Sequence, residues 1–271
     1  MFDFHVHTHH SFDGSESINT LVEKAIQMGF QKICLTDHVD YDYDGAGSQF
    51  SFSYESFFDE ITKIRNRAGG RIDILAGVEF GLQPHLLKKY QNDAATWPFD
   101  YIIGSIHSVQ KTDIFTGPYF ETRNQEEAYR DYFDDMQQVL QPDAPFDTLG
   151  HFDMIKRYGG YKIPLPLSTY EDIATTIFTR LISMGKGIEI NTSGFRYGLN
   201  DAHPSLDLLS LYHRCGGEII VLGSDAHQAS GIGDHFKDIL SVLTHIGFRY
   251  LVTYKQRKAF FHPLHKLIEV S

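Results

Sequence analysis

The sequence predicts an α/β fold in which parallel strands close into a barrel. Short apolar runs rich in β-branched residues alternate with stretches of helical period from one end of the chain to the other. This order is typical of a parallel sheet whose faces are covered by helices. Seven or eight such units fit in 271 residues, which favours a closed barrel over an open, doubly wound sheet.

Local signals place the strands and two of the helices. From Ile18 to Ile26 apolar residues recur with helical spacing, and Gly29 follows as a glycine suited to end a helix. A second helix is predicted to start at the capping-box pattern Ser168-Thr-Tyr-Glu171, because apolar residues continue on one face behind it. The predicted strands lie at 2–6, 31–36, 72–78, 100–106, 147–151, 187–191, 218–223 and 249–253.

Composition and charge exclude several classes of protein. The chain carries 24 Lys and Arg against 35 Asp and Glu, a net charge of −11, which argues against a nucleic-acid binder. We find neither an apolar run long enough for a membrane span nor a signal-peptide pattern, so we expect no membrane partner and no export. Cys34 and Cys215 are too few for a disulfide framework, and we expect a cytoplasmic protein. The sequence leaves the oligomeric state open.

Two long loops bear on the organisation of the chain. The segments 40–53 and 108–123 are rich in Asp, Gly, Ser and Tyr and are longer than plain connections need to be. In a barrel they would be strand-to-helix loops on the active face. Since neither a linker nor an internal repeat interrupts the pattern, we predict one domain over residues 1–271.

Histidines and acidic residues recur where the predicted strands end. The chain has 15 histidines, the commonest metal ligands in proteins. The carboxyl ends of parallel barrel strands meet at one rim, where barrel enzymes assemble their active sites, so we expect these side chains to converge. The positions are His5, His7, His38, Glu79, His107, His151, Asp225 and His227.

Each position taken alone has an ordinary explanation. His5 and His7 alternate on a strand, so both imidazoles share a face and can chelate an ion, but such pairs are more often surface or core histidines. His9 and His10 lengthen this run of histidines, so the run could also be the remnant of an expression tag. Glu79 could be a solvated strand end or a helix-cap charge. Because these explanations are independent, whereas one metal centre accounts for all the positions, we predict a metal site.

Together, the residues resemble the motifs of the polymerase and histidinol phosphatase (PHP) superfamily. The resemblance implies a distorted (βα)7 TIM-like barrel that holds three divalent metal ions. Within the superfamily, the chain is most similar to the histidinol-phosphate phosphatases of histidine biosynthesis, since its length matches a phosphatase without a polymerase body. The motifs, in order along nearly the whole chain, are His5-x-His7, Thr36-Asp-His38, Glu79, His107, Gly-His151 and Asp225-x-His227.

The resemblance also implies a ligand set for each ion. Nitrogen and oxygen ligands without thiolate suit Zn, Mn, Fe or Co. Some members of the superfamily carry a histidine at the position of Asp13, and its loop could equally be a turn. The implied sets are His5, His7, Glu79 and Asp225 for the first ion, Glu79, His107 and His151 for the second, and Asp13, His38 and His227 for the third.

The implied reaction is hydrolysis of a small phosphomonoester, histidinol phosphate, by water activated between metals that share Glu79. Arg157 and Arg196, on loops after barrel strands, are expected to bind the phosphate, because a guanidinium can hold phosphate through two hydrogen bonds. Either arginine alone could equally form a surface ion pair. The ligands expected to act in catalysis are Glu79, His107, Asp225 and His227.

Neighbouring residues are expected to support this centre. Asp37 and Asp153 are candidates for orienting ligand imidazoles. Aromatic and acidic residues in 40–53 and 108–123 could contact a cationic part of the substrate. Three ions would bring six positive charges against three ligand carboxylates, which would let an acidic protein attract an anion locally.

Other functions are left open by the sequence. A phosphoesterase of the same superfamily that acts on a nucleotide or another small phosphomonoester would share every ligand. A metal-dependent amidohydrolase also begins with His-x-His on a barrel strand, but it gives no role to Asp13, His38 and His227. The non-catalytic alternative is a barrel that binds metals for structural reasons or binds a partner.

Overall fold

Parallel strands form a nearly closed barrel in the computed structural model, which describes residues 1–115 and 117–268. The strands are β1 (Phe2–Val6), β2 (Lys32–Leu35), β3 (His38–Val39), β4 (Asp73–Gly81), β5 (Tyr101–Ser105), β6 (Ser108–Val109), β7 (Thr112–Asp113), β8 (Thr148–Leu149), β9 (Gly187–Asn191), β10 (Ile220–Gly223), β11 (Tyr250–Lys255) and β12 (Lys258–Pro263). The helices are α1 (Ile18–Gln27), α2 (Tyr54–Ala68), α3 (Leu87–Thr96), α4 (Pro118–Glu121), α5 (Gln125–Val139), α6 (Glu171–Ser183), α7 (Ser193–Arg196), α8 (Leu206–Arg214), α9 (Phe236–Ile246) and α10 (Leu264–Ile268). Short 3-10 helices span Pro84–Leu86, Met154–Arg157, Leu167–Thr169 and Ala229–Gly231.

The barrel strands run parallel in the order β1-β2-β4-β5-β8-β9-β10, and β3 pairs with the end of β4. The first strand meets the segment after the last one through backbone hydrogen bonds. His7 N–H donates to the carbonyl of Ala226 at 2.9 Å, and Asp225 N–H donates to that of His5 at 2.8 Å. The predicted distorted (βα)7 barrel is therefore confirmed, and its strands all end at one mouth.

Both helices predicted from local signals form, but only one begins where expected. The hydroxyl of Ser17 accepts the N–H of Thr20 and caps α1, and Gly29 follows that helix in a left-handed conformation with φ of 77°. α6 begins later than predicted, because Ser168 lies inside a 3-10 turn and Tyr170, which precedes the helix, caps it with no side-chain hydrogen bond. The prediction of a capping box at 168–171 is wrong.

The strand predicted at 249–253 forms as β11, but it lies outside the barrel. Gln256 and Arg257 have φ values of 51° and 61°, the conformation of a two-residue hairpin turn. The chain folds back at this turn, and β12 pairs with β11 in antiparallel register. The barrel has no place for an eighth parallel strand here, because β1 already bonds to the segment that follows β10.

Apolar side chains fill the layer between the sheet and the helices. α1 buries Ile18, Leu21, Val22 and Ala25, the face that the sequence predicted, and burial of each of the three larger side chains contributes about 1.5–3 kcal/mol. Within residues 1–115 and 117–268, none of the helices combines the length and the apolar character that crossing a membrane requires.

Asp100 ties several elements together at the start of β5. Its carboxylate accepts the backbone N–H of Ala76 in β4 at 3.0 Å and the N–H of Gln256 in the β11–β12 turn at 3.1 Å. The same carboxylate accepts a hydrogen bond from Arg65 of α2 at 3.0 Å. Asp100 is buried, and it lies at the opposite end of the strands from the barrel mouth. Its contribution should therefore be to stability alone.

We expect Asp100→Ala to lower the free energy of unfolding by about 2–4 kcal/mol, because the buried N–H of Ala76 loses its acceptor and α2 loses an ion pair. Urea unfolding at 25 °C measures this change. The control Asp59→Ala, on the exposed side of α2, should shift stability by less than about 0.5 kcal/mol. Equal stability of the two variants would contradict this role of Asp100.

Candidate metal centre

The mouth of the barrel gathers the histidines and acidic residues that the sequence singled out. A cavity of about 440 Å³ opens there, and most of these side chains line it. His5 and His7 lie directly beneath the cavity, fully buried. The residues that the structure brings together are His5, His7, Asp13, His38, Glu79, His107, His151, Asp225 and His227.

A first group of ligand atoms surrounds the end of β1. His5 Nε2 lies 2.9 Å from His7 Nε2 and 3.1 Å from Glu79 Oε2, and Asp225 Oδ1 lies 3.2 Å from His7 Nε2. Around an ion with tetrahedral bonds of about 2.0–2.1 Å, ligand atoms stand about 3.3 Å apart. The ligand atoms of His5, His7 and Asp225 all lie within 4.8 Å of one another, which fits one divalent ion, and Glu79 adjoins this group through its contact with His5.

A second group uses the other oxygen of Glu79. Oε1 lies 2.8 Å from His151 Nε2 and 3.3 Å from His107 Nε2, and the two imidazole nitrogens are 3.4 Å apart. The spacing again matches the ligand separation around one ion. Oε1 of Glu79 faces this group, whereas its Oε2 faces His5 at 3.1 Å and also His38 Nδ1 at 3.0 Å, so this carboxylate could hold ions on both sides.

A third group lies nearer the surface. Asp13 Oδ2 is 3.0 Å from His227 Nε2 and 3.7 Å from His38 Nε2. The ring of His7 stacks on those of both His38 and His227, at centroid distances of 4.2 and 4.1 Å, and the rings of His38 and His227 lie 5.9 Å apart. Some family members carry a histidine at the position of Asp13. The structure nevertheless places the Asp13 carboxylate beside the imidazoles of His38 and His227.

The charges of the centre compensate one another. Burial would raise the pKa of Glu79, but the nearby imidazoles of His5 and His38 outweigh burial and hold that pKa well below its usual value. Burial opposes protonation of His5, but Glu189 and Glu79 outweigh it and raise the pKa of His5 well above its usual value. Imidazole protons therefore balance the carboxylates, and divalent ions would take over this role on binding.

Buried acceptors orient several of the ligand imidazoles from behind. His5 Nδ1–H donates to Glu189 Oε1 at 2.5 Å, and His107 Nδ1–H donates to Asp40 Oδ1 at 2.7 Å. His7 Nδ1 is 3.0 Å from the hydroxyl of Ser11. An acceptor at Nδ1 fixes the tautomer that leaves Nε2 free to bind an ion.

Glu189 and Asp40 contact candidate ligands, but the sequence analysis did not single them out. Glu189 is a charged residue inside the predicted apolar strand 187–191, and that anomaly could have identified it. Asp40 follows His38 by two residues, the spacing that places side chains on one face of a strand. The structure shows that both carboxylates are buried.

The two carboxylates proposed from the sequence for this orienting role differ in what they contact. Asp37 accepts hydrogen bonds from the backbone and hydroxyl of Thr8 and from Ser11, so it holds the loop after β1. Asp153 pairs with His203 at 3.0 Å and with Lys156 at 2.9 Å. Burial would raise the pKa of Asp153, but these partners outweigh it and lower that pKa to about 2. Asp37 therefore supports a ligand imidazole through Ser11, whose hydroxyl lies 3.0 Å from His7 Nδ1, whereas Asp153 holds His203 and Lys156, which are not candidate ligands.

Glu189 also connects the first and second groups. Its Oε1 accepts from His5, and its Oε2 accepts the backbone N–H of His151 at 2.9 Å. His151 has a positive φ of 20°, an uncommon conformation that this hydrogen bond helps to hold. A Cβ at position 223 would come within 2.2 Å of Glu189 Oε1, so only Gly223 leaves room for the carboxylate.

The structure gives the two candidate arginines different surroundings. Arg157 lines the cavity, and its guanidinium lies over the ring of Tyr197 at 3.0 Å from the centroid. Arg196 donates from Nη2 to the backbone carbonyls of Ser224 and Asp225 at 2.7 Å each, so it fastens the segment that carries a ligand. Of the two arginines, Arg157 is therefore the one that lines the cavity.

Both long loops reach the cavity, as the sequence predicted. The segment 40–53 contributes Tyr43 and Phe50 to the wall, and 108–123 contributes Asp113 and Phe115. The second segment is more ordered than a plain loop, because it contains the antiparallel pair β6–β7 and the short helix α4. One side of the cavity is thus aromatic, while the metal ligands form its floor.

Comparison with known proteins gives a consistent result. Residues 3–193 match the family described as PHP domain. The chain is 30% identical to the histidinol-phosphatase of Lactococcus lactis, with 94% of this chain and 95% of that protein covered. It is also 30% identical to a probable histidinol-phosphatase of Clostridium acetobutylicum, with 89% and 92% covered.

A solved structure resembles the whole fold. The crystal structure of histidinol phosphate phosphatase from Lactococcus lactis, in complex with zinc, L-histidinol and phosphate, superposes with a TM-score of 0.88. The sequences are 29% identical, and the match covers 96% of this chain and 98% of that one. The likeness therefore extends well beyond residues 3–193, the part matched by the family.

We expect Glu189→Gln to weaken metal binding about 10- to 100-fold, because His5 loses the charged acceptor that orients it. Competition with a chromogenic chelator measures the affinity. The matched control is Asp153→Asn, which removes a buried carboxylate that contacts no proposed ligand side chain and should leave metal affinity unchanged while lowering the melting temperature. An equal loss of affinity in both variants would show that Glu189 has no special role.

Proposed function

The chain belongs to the PHP domain family, and from this we propose that it is a metal-dependent phosphatase that hydrolyses L-histidinol phosphate to L-histidinol and inorganic phosphate in histidine biosynthesis. The observation that carries the proposal is the likeness over 96% of the chain to a histidinol phosphate phosphatase that binds zinc, L-histidinol and phosphate. The donor atoms at the barrel mouth fit this activity, since nitrogen and oxygen ligands spaced for divalent ions line the cavity.

Divalent metal ions are the cofactor, and we propose three per chain. The first is held by His5, His7, Glu79 and Asp225, the second by Glu79, His107 and His151, and the third by Asp13, His38 and His227. Support for three comes from three groups of donor atoms in which neighbouring atoms lie 2.8–3.7 Å apart. Imidazole and carboxylate donors without thiolate suit Zn, Fe or Mn.

The residues of the chain have distinct tasks in this reaction. When bound, the ions would activate water and stabilise negative charge on the phosphoryl oxygens. Glu79 keeps the first and second groups at a fixed separation through its two oxygens, and His107, Asp225 and His227 complete the ligand sets that face the cavity. Arg157 holds the phosphate at the cavity wall through its guanidinium.

The charge of the site explains why the ions are needed for binding as well as for chemistry. The protein has a net charge of −11, and the buried carboxylates of Glu189 and Asp40 add to those of the ligands. Without ions, imidazole protons only balance the carboxylates, so the cavity would have no net positive charge to attract a phosphomonoester dianion. With them the floor becomes cationic, while the outer surface remains acidic.

The aromatic side of the cavity suits the other end of the substrate. Histidinol phosphate carries an amino group and an imidazole, both of which can be cationic. Phe50 stacks on Phe12 at a centroid distance of 3.9 Å, and Tyr43, Phe115 and Asp113 continue this wall. An aromatic and acidic wall attracts a cation, so we propose that it selects the histidinol part.

The remaining proposals concern the chain as a whole. Residues 1–271 form one catalytic unit, which is supported by a single barrel sheet that runs from β1 to β10. Cys34 and Cys215 are free thiols, which supports a cytoplasmic location. The substrate is the partner that the site indicates.

A substrate panel tests the activity. We expect the metal-loaded protein to release phosphate from histidinol phosphate with a kcat/KM at least about 100-fold above that for adenosine 3′,5′-bisphosphate or an aryl phosphate, because only histidinol has a cationic end. Removal of metal by a chelator should abolish turnover, and zinc or manganese should restore it. Equal rates on all three esters would overturn the substrate assignment, and hydrolysis of an amide without phosphatase activity would overturn the reaction class.

Two arginine variants test the different roles that the structure gives these residues. Arg157→Met should raise KM about 10- to 100-fold with the metal content unchanged, because a charge-assisted contact to phosphate is lost. Arg196→Met should lower the bound metal as well as kcat, because the segment Ser224–Asp225 loses its two hydrogen bonds. Steady-state kinetics and elemental analysis separate the two effects, and identical behaviour of the variants would contradict the assignment.

A further inference from the structure

A further cluster of metal-ligating side chains lies outside the cavity. It consists of His9, His10 and Glu60, which we call the outer group. None of the three lines the cavity at the barrel mouth. His9 and His10 lie in the loop after β1, and Glu60 lies on α2, so the group connects two elements that are 50 residues apart in the chain.

The ligand atoms of the outer group converge as closely as those of the metal centre. Glu60 Oε2 lies 3.1 Å from His10 Nε2 and 3.3 Å from His9 Nε2. All three atoms fall within 4.8 Å of one another. These separations match the spacing of about 3.3 Å between ligand atoms around a tetrahedral ion. The Nε2 atoms of both imidazoles therefore lie beside the same carboxylate oxygen, as they would around one shared ion.

The surroundings hold the outer group in place. The side chain of His10 is only 9% exposed, and its ring packs edge-on against Phe57 at a centroid distance of 5.5 Å. The backbone N–H of His10 donates to the hydroxyl of Thr8, and that of His9 donates to the carbonyl of Glu16. Ligands fixed in this way lose little freedom when they bind an ion.

The donor types indicate which ions would bind. Two imidazoles and one carboxylate without thiolate suit zinc and neighbouring transition ions, and they are poor ligands for Mg²⁺ or Ca²⁺, which prefer oxygen. His9 is 42% exposed, so a fourth position would be open to water. Three protein ligands with one open position is a common arrangement for zinc.

We propose that the outer group is an additional site for a zinc-type divalent ion, which cross-links the loop after β1 to helix α2. This loop carries Asp13, a residue of the third group, so an ion at the outer group restrains the segment that reaches the metal centre. The proposal does not depend on the phosphatase activity, because it concerns binding of the ion alone.

Zinc counting tests the proposal with the full-length, metal-loaded protein. The wild type and the variants Glu60→Gln and His9→Ala are dialysed against a series of buffered free zinc concentrations, and the zinc bound per chain is measured by elemental analysis. We expect each variant to bind one ion fewer than the wild type at saturation. Glu60→Gln keeps the shape of the side chain, and His9 is partly exposed, so both variants should fold and should keep phosphatase activity within about twofold.

A matched control distinguishes a built site from general surface binding. His235 faces two carboxylates, Asp234 at 3.8 Å and Asp238 at 3.1 Å, without a second histidine. His235→Ala should therefore bind as much zinc as the wild type. An equal zinc count in the wild type, Glu60→Gln and His9→Ala at every concentration would overturn the proposal, and so would an equal loss in His235→Ala.

Thermal unfolding gives a second readout that does not use activity. At free zinc about 100-fold above the dissociation constant of the outer group, the unfolding constant of the wild type should fall about 100-fold, because only the folded chain joins the loop to α2. This zinc-dependent rise in stability should be absent from Glu60→Gln over the same concentration range. A rise of the same size in both proteins would overturn the cross-link.

Discussion

The buried carboxylate of Glu79 is the constraint on which the rest of the structure depends. It is fully buried in the barrel mouth, where an uncompensated charge would be very costly. Imidazoles from several strands surround it, and its two oxygens face different groups of ligands. The register between strands makes this possible, since β3 pairs with β4 so that His38 lies directly beside Glu79. The position of this one carboxylate therefore decides where the other ligands must be.

Two buried carboxylates outside the candidate ligand set support the imidazoles that surround Glu79. Glu189 and Asp40 hold imidazoles from behind, and each needs space that a side chain would fill. A Cβ at position 81 would lie 1.8 Å from Asp40 Oδ1, and one at position 223 would lie 2.2 Å from Glu189 Oε1. Gly81 and Gly223 are therefore part of the site although they bind nothing. The small residues near the ligands therefore leave space for the carboxylates that orient the imidazoles, and they also allow the barrel to pack closely.

The chemistry of the site follows from its separation into a floor and a wall. The floor offers nitrogen and oxygen ligands for divalent ions, and these ions would bring positive charge into an acidic protein. The wall comes from loops that are free to differ between relatives without disturbing the barrel. Arg157 stands between floor and wall, stacked on Tyr197. An anionic group at the floor and a cationic group at the wall describe a substrate such as histidinol phosphate.

Periodicity and position along the chain determined the alternation of strands and helices, the barrel class and the residues at the strand ends. These are local properties, and parallel strands necessarily bring their carboxyl ends to one rim, so convergence at the mouth followed from order alone. Only the tertiary structure decided which carboxylates stand behind the imidazoles, that Arg196 binds backbone while Arg157 faces the cavity, and that β11 turns back into a hairpin. The contact of His5 with Glu189 joins residues 184 positions apart, and closure joins the first strand to the segment after the last. Such contacts depend on how strands lie against one another in space, and no local pattern in the sequence encodes that arrangement.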